Sequence, residues 1–135
     1  MNQPDLLAAI SSIMYGNGEP MAGCQLSVEE AKVWVRSVYS EMPYCLVGNW
    51  RWLDIEVTEQ ERQLLAGRYQ RPSMIYSDSV VYDSSLRFPP GGWVRSTMLS
   101  RFSEGCLFQT YNTVYLLMGD GIRLTTTRHV VNAIR

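Results

Sequence analysis

The single histidine of the chain, His129, is the first residue to weigh for catalysis. A Ser-His-Asp or Cys-His nucleophile system, or a metal site with several histidines, would have to be built around it. His129 follows Arg128 near the start of a predicted terminal helix, a position typical of a surface or structural histidine. We therefore predict no catalytic residue of these kinds and no metal site.

A run of carboxylates is the second candidate for chemistry. Asp54 and Glu56 lie two positions apart on a predicted strand, with Glu59 and Glu61 just beyond them. Side chains two positions apart on a strand share a face, so Asp54 and Glu56 could form the acid pair of a hydrolase. No second cluster supplies a nucleophile, a substrate clamp or metal ligands. The interpretation as a solvated acidic face leads, and the protein is expected not to be an enzyme.

Two glycine-rich stretches and three cysteines complete the search for chemistry. Gly16-Asn17-Gly18 and Gly119-Asp120-Gly121 lack the lysine and hydroxyl spacing of a phosphate-binding loop, and we interpret both as turns. The cysteines are odd in number and without a Cys-x-x-Cys pair, which favours buried free thiols in a reducing compartment: Cys24, Cys45 and Cys106. No cofactor is expected.

The segment Trp50-Arg51-Trp52 points to binding. An exposed aromatic pair beside an arginine could stack on bases, hold a peptide or anchor a protein partner. Two tryptophans on one strand face are also typical of a buried core. Exposure decides between the two interpretations.

The net charge of −1 conceals a division between the two parts of the chain. Residues 1–61 carry a net charge of −6, and residues 62–135, which hold nine arginines, carry +5. Such a division could mark a basic face for nucleic acid, an acidic face, or two surfaces that attract each other within or between chains. A homodimer joined through the two faces is one of these alternatives.

The order of helices and strands predicts an α+β fold. Ser27 with Glu30, and Thr58 with Glu61, have the spacing of capping boxes. The predicted helices are 4–14, 27–41, 58–67 and 126–134. Alternating apolar residues predict the strands 44–47, 50–57, 74–76, 79–82, 93–102, 106–111, 113–118 and 122–125, with hairpin turns at 103–105 and 119–121.

These elements form one predicted domain over residues 1–135, with a helical part (1–70) and a mainly β part (71–135). We expect N-terminal helices packed on a curled antiparallel sheet, like a small SH3-type barrel, with a short C-terminal helix. The N-terminus lacks the positive charge of a signal peptide, and no apolar stretch reaches the roughly 20 residues that cross a bilayer. A cytoplasmic location without a membrane partner is expected.

The C-terminal stretch carries a family resemblance. Its segments Trp93-Val94-Arg95-Ser96-Thr97 and Thr110-Tyr111-Asn112-Thr113-Val114-Tyr115-Leu116-Leu117-Met118-Gly119-Asp120-Gly121 resemble small uncharacterised bacterial and prophage-associated proteins. The resemblance is confined to residues 93–135 and brings no established activity. It implies a protein that occupies a surface of a host or defence complex, as an anti-CRISPR inhibitor does.

The leading hypothesis is therefore a non-enzymatic protein-binding module, with a host or defence protein complex as its partner. Its candidate binding residues are the acidic and aromatic ones of the N-terminal part: Glu29, Glu30, Trp50, Arg51, Trp52, Asp54 and Glu56. The alternative is a nucleic-acid-binding or transcription-associated domain that uses an arginine-rich sheet with aromatic residues such as Trp93, Tyr111 and Tyr115.

Overall fold

The computed structural model describes residues 3–15 and 17–134, with side chains from residue 5 onward, so Gly16 of the first predicted turn lies outside the described residues. Within them lie the helices α1 (Gln3–Met14), α2 (Val28–Val38), α3 (Glu59–Gly67) and α4 (Arg128–Ala133). The strands are β1 (Glu19–Met21), β2 (Tyr44–Glu56), β3 (Ser73–Asp83), β4 (Val94–Arg95), β5 (Arg101–Ser103), β6 (Leu107–Gln109), β7 (Val114–Leu117) and β8 (Gly121–Thr127). None of these helices is long and apolar enough to cross a membrane.

Side-chain caps fix the starts of three helices. The backbone N–H of Glu30 donates to Ser27 Oγ at 3.2 Å, and the N–H of Ser27 donates back to the Glu30 carboxylate at 3.0 Å. Thr58 and Glu61 form the same reciprocal pair at α3. Thr127 caps α4 by accepting from the Val130 N–H at 3.2 Å. Both predicted capping boxes are confirmed, because they depend only on neighbouring residues.

α3 ends at Gly67, the last residue of the predicted helix 58–67, but a different residue takes the left-handed position. Gly67 is the last helical residue, and the left-handed position falls on Tyr69, with φ 58°. The N–H of Tyr69 donates to Ala66 O and that of Gln70 to Leu65 O, both at 2.9 Å, which is a Schellman motif. Glycine is usual at this position, and a left-handed residue with a side chain costs about 1–2 kcal/mol.

Two long strands replace four short predicted ones. β2 continues through Gly48 and Asn49, which were expected to interrupt it, although Asn49 has a positive φ of 43°. β3 likewise joins the predicted strands 74–76 and 79–82. β2 and β3 pair antiparallel from Cys45 with Asp83 to Asp54 with Ser73. Pairing along their whole length overrides the local turn signals.

The sheet is mixed instead of wholly antiparallel. β7 pairs in parallel with Tyr44–Val47, and β8 pairs in parallel with Arg51–Glu56, farther along β2. The chain therefore keeps its direction through 119–121, and the predicted hairpin there is wrong. The hairpin at 103–105, between the antiparallel strands β5 and β6, is confirmed. The α+β class, the curled sheet, which forms a half-barrel, and the short C-terminal helix are confirmed.

Apolar side chains fill both faces of the sheet. Trp50 and Trp52 belong to a cluster that also contains Ala31 and Val35 of α2. Leu53 and Ile55 of the same strand belong to a second cluster, which contains Ile13 of α1 and Val130, Val131 and Ile134 in and just after α4. Alternate side chains of a strand point to opposite faces, so β2 contributes to both clusters. β2, from residues 1–70, pairs with β3, β7 and β8 from residues 71–135, so the sheet includes strands from both parts of the chain.

Trp50 is fully buried beside the segment that connects β7 to β8. Its indole Nε1 donates to Gly119 O at 3.2 Å. A Cβ atom added to Gly121 would overlap atoms of the Trp50 ring and its carbonyl oxygen. Gly23 faces the carbonyls of Leu117 and Gly119 just as closely. Bare backbone is required here because the indole leaves no room for another side chain.

We expect Gly121→Ala to destabilise the protein by about 2 kcal/mol or more, since overpacking of a filled core forces the backbone to shift. Gly67→Ala is the matched control: its added Cβ meets nothing within 4 Å, and alanine is the better helix former. Urea unfolding followed by tryptophan fluorescence measures both. Equal stabilities of Gly121→Ala and the wild type would contradict the packing described.

Candidate functional site

The structure places the predicted Trp50-Arg51-Trp52 surface inside the protein. Trp50, Arg51 and Trp52 are 0%, 3% and 4% exposed. They are core residues, the second of the two interpretations that the sequence allows. None of the three is exposed, and exposure is what the interpretation as a binding surface required.

Arg51 has a structural task at the end of α1. Its Nε donates to Ile13 O at 2.9 Å, and its Nη2 donates to Met14 O. Asp78 balances the charge, with 3.3 Å between its Oδ1 and Arg51 Nη1. The guanidinium thus satisfies carbonyls that the helix end leaves free, where a positive charge also complements the helix dipole. It fastens α1 to the sheet.

Trp52, Asp54 and Arg123 form a closed polar unit on the opposite face. Asp54 accepts hydrogen bonds from Arg123 Nε at 2.6 Å, Arg123 Nη2 at 3.1 Å, Trp52 Nε1 at 3.0 Å and Ser73 Oγ at 3.0 Å. The guanidinium of Arg123 also lies 4.9 Å from the centroid of the Trp52 ring. Burial alone would raise the pKa of Asp54, but these hydrogen bonds outweigh it and lower the pKa below its usual value. Three of these hydrogen bonds reach Oδ1 and one reaches Oδ2, so the carboxylate is held within the protein.

A groove of about 620 Å³ runs along this unit, between α3 and the end of β8. Trp52, Asp54 and Glu56 of β2 line it together with three arginines, Arg62, Arg71 and Arg123. Glu56 is exposed, and within the described residues it has no ion pair or hydrogen bond of its side chain. The groove therefore holds both Asp54 and Glu56 beside three arginines, of which Arg123 is paired with Asp54 and Arg62 with Glu59.

The other two candidate residues, Glu29 and Glu30, lie on α2. With Val33, Trp34 and Ser37 they line a shallow depression, which we name the α2 face. Val33 is 73% exposed, and Trp34 is half-buried. Lys32, beside this face, forms an ion pair with Glu29. Its Nζ lies 3.6 Å from Glu29 Oε1 and 4.0 Å from the centroid of the Tyr82 ring. The α2 face is apolar at its centre and acidic at its rim.

The sequence matches the profile described as a domain of unknown function, DUF6957, over residues 21–133. The chain belongs to the DUF6957 family. The match reaches far beyond residues 93–135, which carry the resemblance noted in the sequence, and includes α2, β2 and α3. No curated protein and no solved structure matches the chain.

The histidine and the cysteines of this DUF6957 chain differ in exposure. His129 is exposed on α4 and has no hydrogen bond or ion pair within the part of the chain that the structure describes. The prediction of buried cysteines is confirmed for all three. Burial raises the pKa of Cys45 and of Cys106 to about 12, so both stay protonated at neutral pH.

Sequence reasoning missed Val33 and Tyr69. Val33 falls outside the helical repeat of the buried Ala31 and Val35, so an apolar residue on the polar side of α2 was a readable signal. The left-handed turn at Tyr69 had no such signal, because a glycine two positions earlier was the better candidate for the helix end. Tyr115 of the proposed nucleic-acid sheet is buried and cannot contact a ligand.

The hydrogen-bonded Asp54 makes the free energy of unfolding depend on pH. Because its folded-state pKa is lowered, Asp54 stabilises the fold above its unfolded pKa of about 4, and this contribution is lost as the pH falls through the folded-state value. Asp54→Asn keeps an oxygen acceptor for Trp52 and Ser73 but removes the titration. We expect the free energy of unfolding of this variant to fall less steeply below about pH 4 than that of the wild type.

Urea titrations between pH 2.5 and pH 7 compare the two proteins. Glu56→Gln is the control, since it removes a neighbouring carboxylate that forms no ion pair with the described residues. Identical acid dependence of Asp54→Asn and the wild type would contradict the assignment.

The cysteines yield a second prediction. The folded protein is expected to react with a thiol reagent such as DTNB far more slowly than the unfolded chain, because all three thiols are buried. Absorbance of the released chromophore, with and without urea, measures this. Rapid reaction of two thiols in the native protein would contradict the burial of Cys45 and Cys106.

Proposed function

We propose that this DUF6957 protein is a non-enzymatic protein-binding module that uses the α2 face. The observation that carries the proposal is the exposed Val33 beside Trp34, on the side of α2 where the helical repeat calls for polar residues. An apolar centre with a polar rim is the usual anatomy of a protein interface. Tryptophan is also among the side chains that most often dominate binding energy.

Charge narrows the kind of partner. Glu29 and Glu30 border the apolar centre; Glu29 is ion-paired with Lys32, and Glu30 accepts a hydrogen bond from the Ser27 N–H but has no ion pair with the described residues. Arg36 donates to Tyr39 O, Ser40 O and Met42 O and lies 4.7 Å from the centroid of the Tyr44 ring. The complementary partner is a protein that presents an apolar side chain flanked by lysine or arginine.

A second copy of the chain is the competing occupant of the α2 face. Residues 62–135 carry a net charge of +5 and could supply basic side chains to the α2 face of another molecule. Light scattering of the purified protein across a concentration series separates the two occupants. A monomer supports a different protein as the partner, and a dimer abolished by Val33→Asp assigns the face to self-association.

The role as an inhibitor of a host or defence complex, including a CRISPR complex, remains a prediction from the resemblance of residues 93–135. Phage or prophage origin and a cytoplasmic location remain predictions as well. A surface that binds without chemistry is consistent with such a role.

The test begins with capture from a nuclease-treated lysate of the cells that encode the protein. The recovered protein is then purified, and its Kd for each variant is measured by calorimetry. Val33→Asp is expected to weaken binding about tenfold or more, because it puts a charge at the centre of the interface. Glu29→Lys is expected to weaken it through repulsion of basic groups, with a larger effect at low salt.

Leu64→Asp is the matched control, since Leu64 is also an exposed apolar helix residue, 63% accessible, but lies on α3. Its affinity should equal that of the wild type. Unchanged affinity of both Val33→Asp and Glu29→Lys, with folded spectra, would remove the α2 face as the binding surface.

A further inference from the structure

Three of the arginine side chains that the structure describes have no partner within the described residues. Most arginines form an ion pair or donate to backbone carbonyls: Arg36, Arg51, Arg62, Arg87, Arg95, Arg123 and Arg128. Among the described residues, Arg68, Arg71 and Arg101 alone have neither an ion pair nor a hydrogen bond from the guanidinium. Their charges are not used to stabilise the fold.

The fold brings together the chain segments that carry these three arginines. The Tyr111 hydroxyl donates to Arg68 O, and Ser100 Oγ donates to Tyr69 O at 3.3 Å. The N–H of Arg71 donates to Leu99 O at 2.8 Å. Arg101, which directly follows Ser100, starts β5. These contacts join the end of α3, the start of β5 and the loop after β6.

Two tyrosines are exposed among them. Tyr69 is 84% exposed and Tyr111 is 53% exposed. We name Arg68, Tyr69, Arg71, Arg101 and Tyr111 the arginine–tyrosine patch. Tyr69 holds the left-handed position of the Schellman motif, where its ring gains no burial in return for the strained backbone. Strain kept without a packing gain is typical of functional positions.

We propose that the arginine–tyrosine patch binds single-stranded nucleic acid. Guanidinium groups form paired hydrogen bonds with phosphate oxygens, and exposed tyrosine rings stack on bases. In a duplex the bases are already stacked on each other, so a single strand uses both features of the patch and a duplex uses only one. Arg71 also lines the groove, so the patch borders it. The site is independent of the α2 face.

The arginine contacts are tested with fluorescein-labelled oligo-dT and oligo-rU of about 12 nucleotides, a length within the usual range of single-strand sites. Fluorescence anisotropy gives the Kd at several salt concentrations. Each phosphate contact on a single strand contributes about 0.7 to the slope of log K against log salt. Arg71→Gln and Arg101→Gln are each expected to reduce that slope by about 0.7 and to weaken binding severalfold. Arg128→Gln, which removes an exposed arginine paired with Glu61, is the control and should leave the slope unchanged.

Tyr69→Gly separates binding from folding. Glycine relieves the left-handed backbone, so this variant is expected to unfold at a higher urea concentration than the wild type. It removes the stacking ring, so its affinity for the oligonucleotides should fall about tenfold. Tyr69→Phe keeps the ring and should bind as the wild type does. A variant that is more stable yet binds less cannot have lost binding through misfolding.

Three results would overturn the proposal. The first is no binding of either oligonucleotide by the wild type at low salt. The second is equal affinity for a base-free polyphosphate of similar length, which would leave no role for the tyrosines. The third is binding to vesicles containing phosphatidylserine but not to the oligonucleotides, which would assign the patch to a lipid surface. Val33→Asp should leave oligonucleotide binding unchanged, so failure of the α2 proposal and failure of this one are distinguishable.

Discussion

The fold depends on the packing of the Trp50 indole against bare backbone. The ring packs against the segment that connects β7 to β8. Its Nε1 donates to Gly119 O, and the ring leaves no space for a side chain at Gly121. Both strands can then follow the same edge of β2 in the same direction. On the other face, the neighbouring Arg51 holds the end of α1. Consecutive residues of one strand thus position the two layers of the molecule.

Local signals in the sequence predicted local structure well. The capping boxes of α2 and α3, the α+β class and the hairpin at 103–105 depend on neighbouring residues and are confirmed. The path of the chain at 119–121 could not be predicted in this way. Glycines permit a turn, but whether the chain reverses or continues depends on β2, about 70 residues earlier in the sequence. A glycine-rich turn between two strands looks the same in both cases.

The candidate residues show the same limit. Trp50 and Trp52 share a strand face, as predicted, yet only the curled sheet shows that this face is buried. Asp54 and Glu56 were expected to share a strand face, and both line one groove, but the arginines beside them come from α3, the segment after it and β8. The unpartnered arginines could not be found from the sequence, because whether an arginine has a partner depends on which residues lie near it in the fold. The composition shows how many arginines the chain has, but only the fold shows which of them lack an ion pair.

Parallel pairing along β2 also has a consequence for synthesis of the chain. Tyr44 pairs with Val114, so at roughly 5–20 residues per second this edge of β2 waits roughly 4–14 s for its partner strand. β3 arrives earlier and covers the opposite edge. During the interval an apolar strand offers unpaired N–H and C=O groups to any other chain nearby. The yield of soluble protein should therefore depend on chaperone supply and translation speed more than the modest size of the chain suggests.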